Sequence, residues 1–465
     1  MSQFSSCAIE LLVTVAFLVT ETVFAQFHGQ PEQIHLSYAG TPSQMWVTWV
    51  TLDRVQHPVV EFGEPRLERV IQATTTEFTD GGKLHRNLWI HRARMVDLKP
   101  GRTYLYHVGS EWGWSALYFF RALKSPSGGY RFAVFGDLGN VNPKSLARLQ
   151  RETQLGHFDM ALHVGDFAYD LDTNDAEVGD AFMRQIEPVA AYIPYMVAVG
   201  NHENAYNFSN YVNRFTMPNY EEQENMFYSF DLGLVHFIVF SSEFYYFSTT
   251  EEPIQRQFEW LKADLEAANR NRSDVPWIIT MAHRPMYCSD WDGDDCTKYE
   301  SRIRSGLPET HKYALEPLFY EHGVDLALWA HEHSFERLWP VYNRTIYNGT
   351  SAPYTDPPAP VHIVTGSAGC QEQTDPFFPR LPPWSAFHSS QYGYSRMRVA
   401  NATHLYFEQV SDDQGGKVID SIRLIKNRHQ SYAVEPHTQT GRYVPLDYRV
   451  TPHVSKKKCN DCELP

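Results

Sequence analysis

Residues 160–169 read MALHVGDFAY. Met160–Val164 is a short apolar run of the kind that forms a buried strand. It breaks at Gly165-Asp166, where a glycine lets the chain turn sharply and a carboxylate follows. The same grammar recurs four times. Phe135-Gly136-Asp137-Leu138-Gly139 ends the run Tyr130–Phe135, and Gly200-Asn201-His202-Glu203 follows Tyr195–Val199. Ala282-His283-Arg284-Pro285 ends Trp277–Ala282, and Ala330-His331-Glu332-His333 follows Val324–Trp329. Leu234–Phe240 reads as one more strand. Helical stretches lie between these runs: Asn142 to about Gln154, a helix carrying Ile254, Phe258, Leu261, Leu265 and Ala268 on one face, and another that ends at Gly323. Strands alternating with helices predict a layered α/β sheet over 129–426, completed by a return to strands from about 359. In open α/β sheets the functional crevice lies beyond the carboxyl ends of the strands, so the five polar clusters are expected to converge.

Taken singly, each cluster is weak. Gly-Asp is a common turn, and a lone histidine at a strand end is usually an ordinary polar residue. His163 and His236, inside strands, are read that way. Five clusters in this order, all bearing metal-ligand chemistry, are a different matter. Asp137, Asp166, Tyr169 and one histidine make a site rich in anionic oxygen, suited to a hard, highly charged ion. Asn201, His283 and a second histidine make a nearly neutral site, completed by a shared carboxylate and suited to Zn, Fe(II) or a similar divalent ion. Metals roughly 3.5–4 Å apart that share a carboxylate fit two-metal phosphoryl chemistry. No Gly-x-Ser-x-Gly and no P-loop supplies another mechanism.

This ordered set resembles the purple acid phosphatase family, within the binuclear metallophosphoesterases. Tyr169, three positions after Asp166, is its most specific element. The likeness spans about residues 28–426 and implies the long, two-domain form. Carried onto this sequence, it implies that Asp137, Tyr169 and His333 bind Fe(III), that Asp166 bridges, and that Asn201, His283 and His331 hold Zn, Mn or Fe(II). His202 would touch the substrate phosphate, and Glu203 and Glu336 would orient neighbours. The implied reaction is hydrolysis of phosphate monoesters by attack of a metal-bound hydroxide. Two departures stand out. Ala330 occupies a place where the family has glycine. The loop Tyr287–Cys296 contains no histidine where plant members carry two that face the substrate. That leaves the leaving-group acid open. The acidic loop either disfavours very anionic substrates or is a solvated surface loop. Rival readings are a phosphodiesterase or nucleotide pyrophosphatase on the same centre, and a secreted binding protein without activity.

Residues 28–124 read differently. QMWVTWVT at Gln44–Thr51 alternates apolar and polar positions, and Val59–Phe62, Trp89–Met95 and Thr103–Val108 follow as short strands. They predict an N-terminal all-β sandwich of the fibronectin III type, a structural or recognition module. At 465 residues the chain is long enough for both domains. With 40 basic against 55 acidic residues its net charge is -15, which argues against nucleic-acid or anionic-membrane partners. It also means that a phosphate site must create local positive potential.

Residues 1–25 read as a signal peptide: Leu11 to Val19 is apolar, and Val23-Phe24-Ala25 resembles a cleavage site, although no Lys or Arg precedes the apolar run. No second run is long enough to span a membrane. Five Asn-x-Ser/Thr triplets, at Asn207, Asn271, Asn343, Asn348 and Asn401, support N-glycosylation and a secreted or lysosomal location. Cys288 and Cys296 are close enough to staple one loop, Cys459 and Cys462 form a C-x-x-C, and Cys370 is left over. Residues 427–465 look like a loose polar tail.

Overall fold

The computed structural model describes residues 27–124, 129–434 and 439–445. The expected signal segment 1–25, the C-x-x-C pair and the last residues of the tail lie outside them.

The N-terminal domain is the expected sandwich. One sheet orders Glu32–Tyr38, Met45–Thr51, Asn87–Met95 and Thr74–Thr79; the other runs from Arg69–Gln72 through Val59–Gly63 and Thr103–Ser110 to Gly113–Trp114, with Tyr118–Arg121 also paired to Thr103–Ser110. Val47, Trp49, Val60, Phe62, Tyr106 and Val108 pack between them. Thr48, a polar position of Gln44–Thr51, is fully buried. Its hydroxyl pairs with that of Thr216 at 2.8 Å, and Arg92 Nε donates to the same oxygen at 2.9 Å. Thr48 therefore lies at the contact between the two domains. Nearby, buried Arg214 donates to Asp180 Oδ1 at 2.8 Å and Gln33 Oε1 at 3.1 Å, locking the two domains together.

The catalytic region is layered α/β, but its strands form two large sheets rather than one, with a small three-stranded sheet beside them. In the first, Tyr195–Ala198, Met160–Val164 and Tyr130–Phe135 run parallel, and Gly393–Val399, His404–Ser411 and Lys417–Ile425 continue antiparallel. In the second, Val235–Val239, Trp277–Met281, Leu326–Trp329 and Val361–Thr365 run parallel, with Tyr228–Leu232 on one side and Phe335–Leu338 and Ser385–Ser389 on the other. The sheets share one core, in which Phe132 meets Phe237 edge-on at 5.2 Å. The late strands thus divide between the sheets, Val361–Thr365 joining one and residues 393–425 the other. Helix Glu252–Arg270 buries Ile254, Leu261 and Leu265, and its Asp264 takes hydrogen bonds from Ser229 and His236. Among the described residues no helix is long and apolar enough to cross a membrane.

The tail is not loose at its start. Tyr432 is buried, His429 packs on Trp277, and Arg442–Tyr443 pairs with Thr345–Ile346. The anchor is Asp325, fully buried at the start of the strand that leads to His331. Lys426 Nζ and Arg272 Nη1 each approach it to 2.8 Å, and Ile278 N donates to it at 2.9 Å. Burial opposes the charge, but the two cations hold this carboxyl well below its usual range. A depressed folded-state pKa gives stability that is complete above the unfolded value near 4 and is lost only at lower pH. Asp325→Asn is therefore expected to cost roughly 3–5 kcal/mol, equally at pH 5 and pH 7, in urea unfolding. A cost that vanished at pH 5 would contradict this.

Candidate metal centre

The five clusters meet. Three leave the first sheet and two leave the second, so the crevice lies where the carboxyl ends of the two parallel sets adjoin. The backbone is strained there: Asp137, Asp166, Tyr169 and His331 all have positive φ, at 56°, 52°, 55° and 71°. Gly165, at φ 86°, is a turning glycine as expected. Gly136 and Gly200 serve differently. A Cβ on Gly200 would lie 2.2 Å from Asp166 Oδ1, and one on Gly136 would lie 2.4 Å from Ala330 Cβ, so these glycines permit close approach.

Two sets of donor atoms result. In the first, Tyr169 Oη lies 3.1 Å from Asp137 Oδ1 and 2.8 Å from His333 Nε2, and the latter two are 3.5 Å apart. In the second, His283 Nε2 has Asp166 Oδ2 at 3.1 Å, Asn201 Oδ1 at 3.2 Å and His331 Nδ1 at 3.2 Å. Adjacent ligands on one ion at 2.0–2.2 Å stand roughly 3 Å apart, so both sets fit a cation. His331 N also donates to Asp137 Oδ2 at 3.1 Å, tying the sets together.

Each histidine is aimed by its other nitrogen. His283 Nδ1–H donates to Val164 O at 2.8 Å, and His333 Nδ1–H donates to Gln373 O at 2.9 Å. His331 Nε2–H donates to the Asp294 carboxylate. Such partners set the tautomer and the ring orientation of ligating histidines. Glu203 accepts from the N–H groups of Asp166 at 3.0 Å, Phe167 at 2.9 Å and Gly200 at 2.9 Å. It therefore orients its neighbours, as expected. Glu336 is buried and touches none of the converging residues; its neighbours are Ser289 and Ser385, behind the wall.

The electrostatics are those of a site built for positive charge. Burial disfavours ionised Asp166, but His283, His202 and His331 hold its carboxyl well below the usual range. Burial also disfavours charged His283, yet Asp166 and Asp137 raise it to about 9. Burial first, then Asp137 and Asp166, push the Tyr169 phenol well above 10. Only a strong cation converts such a phenol to phenolate.

At the rim, His202 stacks against Tyr169 with ring centroids 4.3 Å apart. Its Nδ1 lies 2.6 Å from Asp170 Oδ1, and its Nε2 lies 3.9 Å from both Asp166 Oδ2 and Glu372 Oε1. Burial lowers its basicity, but these three carboxylates outweigh it and lift the ring to about 10.

All eight residues singled out in the sequence thus share one site, while His163 and His236 do not. His163 hydrogen-bonds Tyr195 in the core, and His236 pairs with Asp231 and Asp264. The sequence reading missed Arg284, although it lies in a quoted cluster. Arg284 Nη1 reaches 2.7 Å from His331 Nε2, its Nε donates to Glu243 at 3.0 Å, and its guanidinium covers Tyr246 at 4.5 Å. Asp170, directly after Tyr169, and Asp294 were also missed as partners. Cys370 is buried, its Sγ 3.5 Å from His333 Nδ1. The loop after His283 is pinned by a disulfide and solvated only at its tip, around Gly293. Ser289 and Asp290 are fully buried, Cys288 is bonded to Cys296, and Asp294 belongs to the wall.

Comparison with known proteins accords with this geometry. Residues 31–122 match the family model "Purple acid Phosphatase, N-terminal domain", residues 130–335 match "Calcineurin-like phosphoesterase", and residues 359–421 match "Iron/zinc purple acid phosphatase-like protein C". Acid phosphatase type 7 of Homo sapiens is 54% identical over 404 residues, covering 85% of this chain and 91% of that protein. Acid phosphatase type 7 of Danio rerio is 52% identical over 415 residues, covering 86% and 92%. The solved purple acid phosphatase PPD1 from yellow lupin (Lupinus luteus) seeds matches with a TM-score of 0.70 at 26% identity, covering 85% of this chain and 74% of that one. A sandwich followed by two adjoining α/β sheets, three successive family models and relatives matched over nearly their whole length lead to one conclusion: the chain belongs to the purple acid phosphatase family.

Proposed function

We infer that this protein is an acid phosphatase that hydrolyses phosphate monoesters at a binuclear metal centre. The observation that carries the reading is the pair of adjoining donor sets, one with a phenol and a carboxylate, the other dominated by imidazole. In our assignment Asp137, Tyr169 and His333 would hold Fe(III), and Asn201, His283 and His331 would hold Zn, Mn or Fe(II), with Asp166 available to both. When bound, the pair neutralises the phosphate and activates the attacking water.

The protein's own groups do the rest. Glu203 fixes the backbone that carries Asp166. Asp294 keeps His331 Nδ1 turned inward. His202, held by Asp170, donates a hydrogen bond to a phosphate oxygen and a proton to the departing alcohol. With metal bound beside Asp166, the negative charge that lifts this imidazole would be partly offset, bringing it toward a range useful for acid catalysis. Secretion or lysosomal delivery, and glycans at Asn207, Asn271, Asn343, Asn348 and Asn401, complete the proposal.

The test compares a monoester, a diester and a nucleoside triphosphate on protein of measured metal content. Faster turnover of the diester or the triphosphate would overturn the monoesterase reading. The ferric assignment is checked by colour, since phenolate-to-Fe(III) charge transfer gives a visible band. Tyr169→Phe is expected to lose that band; a variant with an unchanged band would remove Tyr169 from the metal.

The loop wall has its own test. Cys288 and Cys296 are eight positions apart with Cα atoms 5.3 Å apart. Closing so short a loop stabilises by roughly 2–3 kcal/mol. Cys288→Ser/Cys296→Ser is expected to lower the unfolding free energy by that amount. Non-reducing peptide maps of secreted protein should contain the linked pair, and two free thiols there would refute it.

A further inference from the structure

Arg284 stands next to the second donor set and has no part in the chemistry proposed above. It follows His283 just beyond the carboxyl end of Trp277–Met281, and its side chain is only 15% exposed. Three contacts fix its near end. Its backbone N–H donates to Ser242 Oγ at 2.9 Å, its Nε–H donates to fully buried Glu243 at 3.0 Å, and its guanidinium lies 4.5 Å above the centroid of Tyr246. A planar guanidinium held in this way presents the far end of its fork in one place.

That far end is short of acceptors. Nη1 lies 2.7 Å from His331 Nε2 and 3.7 Å from Asp294 Oδ2. His331 turns Nδ1 toward His283, so its proton sits on Nε2 and goes to Asp294. Nε2 then has no lone pair to offer Arg284. Nη2 has no hydrogen-bond partner among the described residues. Two donor nitrogens as close as Nη1 and Nε2 repel one another, and an anion at the end of the fork relieves the contact.

A second observation concerns charge. His202 borders Asp166, and Arg284 borders His331, so cationic side chains flank two different members of the same donor set. The chain as a whole carries a charge of -15, so attraction for a phosphate must come from such local groups. The loop after His283 adds no histidine to them.

We propose that Arg284 is a substrate-binding residue, donating to a terminal oxygen of the phosphate and thereby selecting monoesters over diesters. A diester has one terminal oxygen fewer than a monoester, and a charged fork recognises that extra oxygen. This selection rests on the monoesterase reading above and names the group that makes it.

The test uses the full-length, metal-loaded protein, with iron and the divalent metal measured in every sample. Binding of inorganic phosphate is followed by calorimetry, and kinetics are run on nitrophenyl phosphate and on the bis-nitrophenyl diester. Arg284→Gln should weaken phosphate binding by about 10–100-fold, the loss of one hydrogen bond between charged groups. KM for the monoester should rise in step, with kcat changed less. The diester should suffer far less, so the preference for the monoester should narrow by about tenfold. Because Arg284→Gln leaves Glu243 buried without its cation, Glu243→Gln/Arg284→Gln is made beside it and should give the same result. Phosphate binding unchanged in both variants would overturn the proposal. So would loss of the divalent ion in step with the loss of phosphate, which would mean that Arg284 only aims His331. A wild type that favours the monoester, with variants that keep the same preference, would overturn this selection alone. A wild type that favours the diester would overturn the monoesterase reading and the selection with it.

Discussion

Asp166→Asn is expected to lower kcat/KM for phosphate monoesters by about 10⁴-fold or more, because it removes the carboxylate proposed to serve both metals. Asp166 is the one carboxylate surrounded by three converging histidines. His283 Nε2 is 3.1 Å from it, His202 Nε2 is 3.9 Å from it, and His331 offers its donor atom to the same group. Asn fills the same space and carries no charge. The variant should contain less than the full complement of both metals. The loss of the divalent ion should be the more complete, since Asn201, His283 and His331 supply no other negative charge. Fold and far-UV spectrum should persist, because the core around the strand ends is unchanged. Elemental analysis beside steady-state kinetics checks this. A variant holding both metals and turning over within tenfold of the native rate would show that Asp166 is not the shared ligand.

His202→Ala is expected to lower kcat/KM by about 10²–10⁴-fold with metal content and colour intact. His202 follows Asn201 directly, yet its imidazole turns to Asp170 at 2.6 Å and stacks on Tyr169. It thus stands beside the metals without joining the donor sets. The loop after His283 brings no histidine to the site, and Asp294 within it is committed to His331. His202 is therefore the proposed proton donor to the leaving group. The loss should be larger for alkyl phosphates, whose leaving groups need a proton, than for nitrophenyl phosphate, whose leaving group does not. Asp170→Asn should show the same bias in weaker form, because it frees the ring without removing it. Near-native rates on both substrates would exclude the role and point to Arg284 as the remaining cation within reach.

The legible part of the site was the part carried by local sequence. Each converging residue lies within five positions of a strand end, and strand ends announce themselves by apolar runs that stop at Gly-Asp or at a histidine. The illegible part was long-range. Arg284 looked like a neighbour of His283, and nothing local shows that it faces His331, 47 positions away. The loop's place was left open, because a run such as Asp292 to Asp295 is usually solvated and nothing local shows that Asp290 is buried beneath it. The Cys288–Cys296 link and the pairing of Asp290 with Phe377 fold that loop inward instead. The cover over Thr48 was out of reach for the same reason: period-two alternation shows which side chains share a face, not what covers it. Helix Glu177–Ala190 was not anticipated; Gly179 and Pro188 interrupt the pattern by which helices are recognised.

By itself the sequence determined the two-domain division, the alternation of strands and helices in the catalytic region, and the eight residues that meet at its centre, because periodicity and residue chemistry are local properties. The tertiary structure alone decided that the strands form two sheets rather than one. Three ligand-bearing strand ends come from one sheet and two from the other, so the centre sits between sheets instead of along a single edge. It also decided which nitrogen of each histidine points inward, since the Val164 carbonyl, the Gln373 carbonyl and the Asp294 carboxylate that set those choices are 119, 40 and 37 positions from the rings they hold. Pairings over such distances depend on how the sheets twist and pack, and no local pattern encodes them.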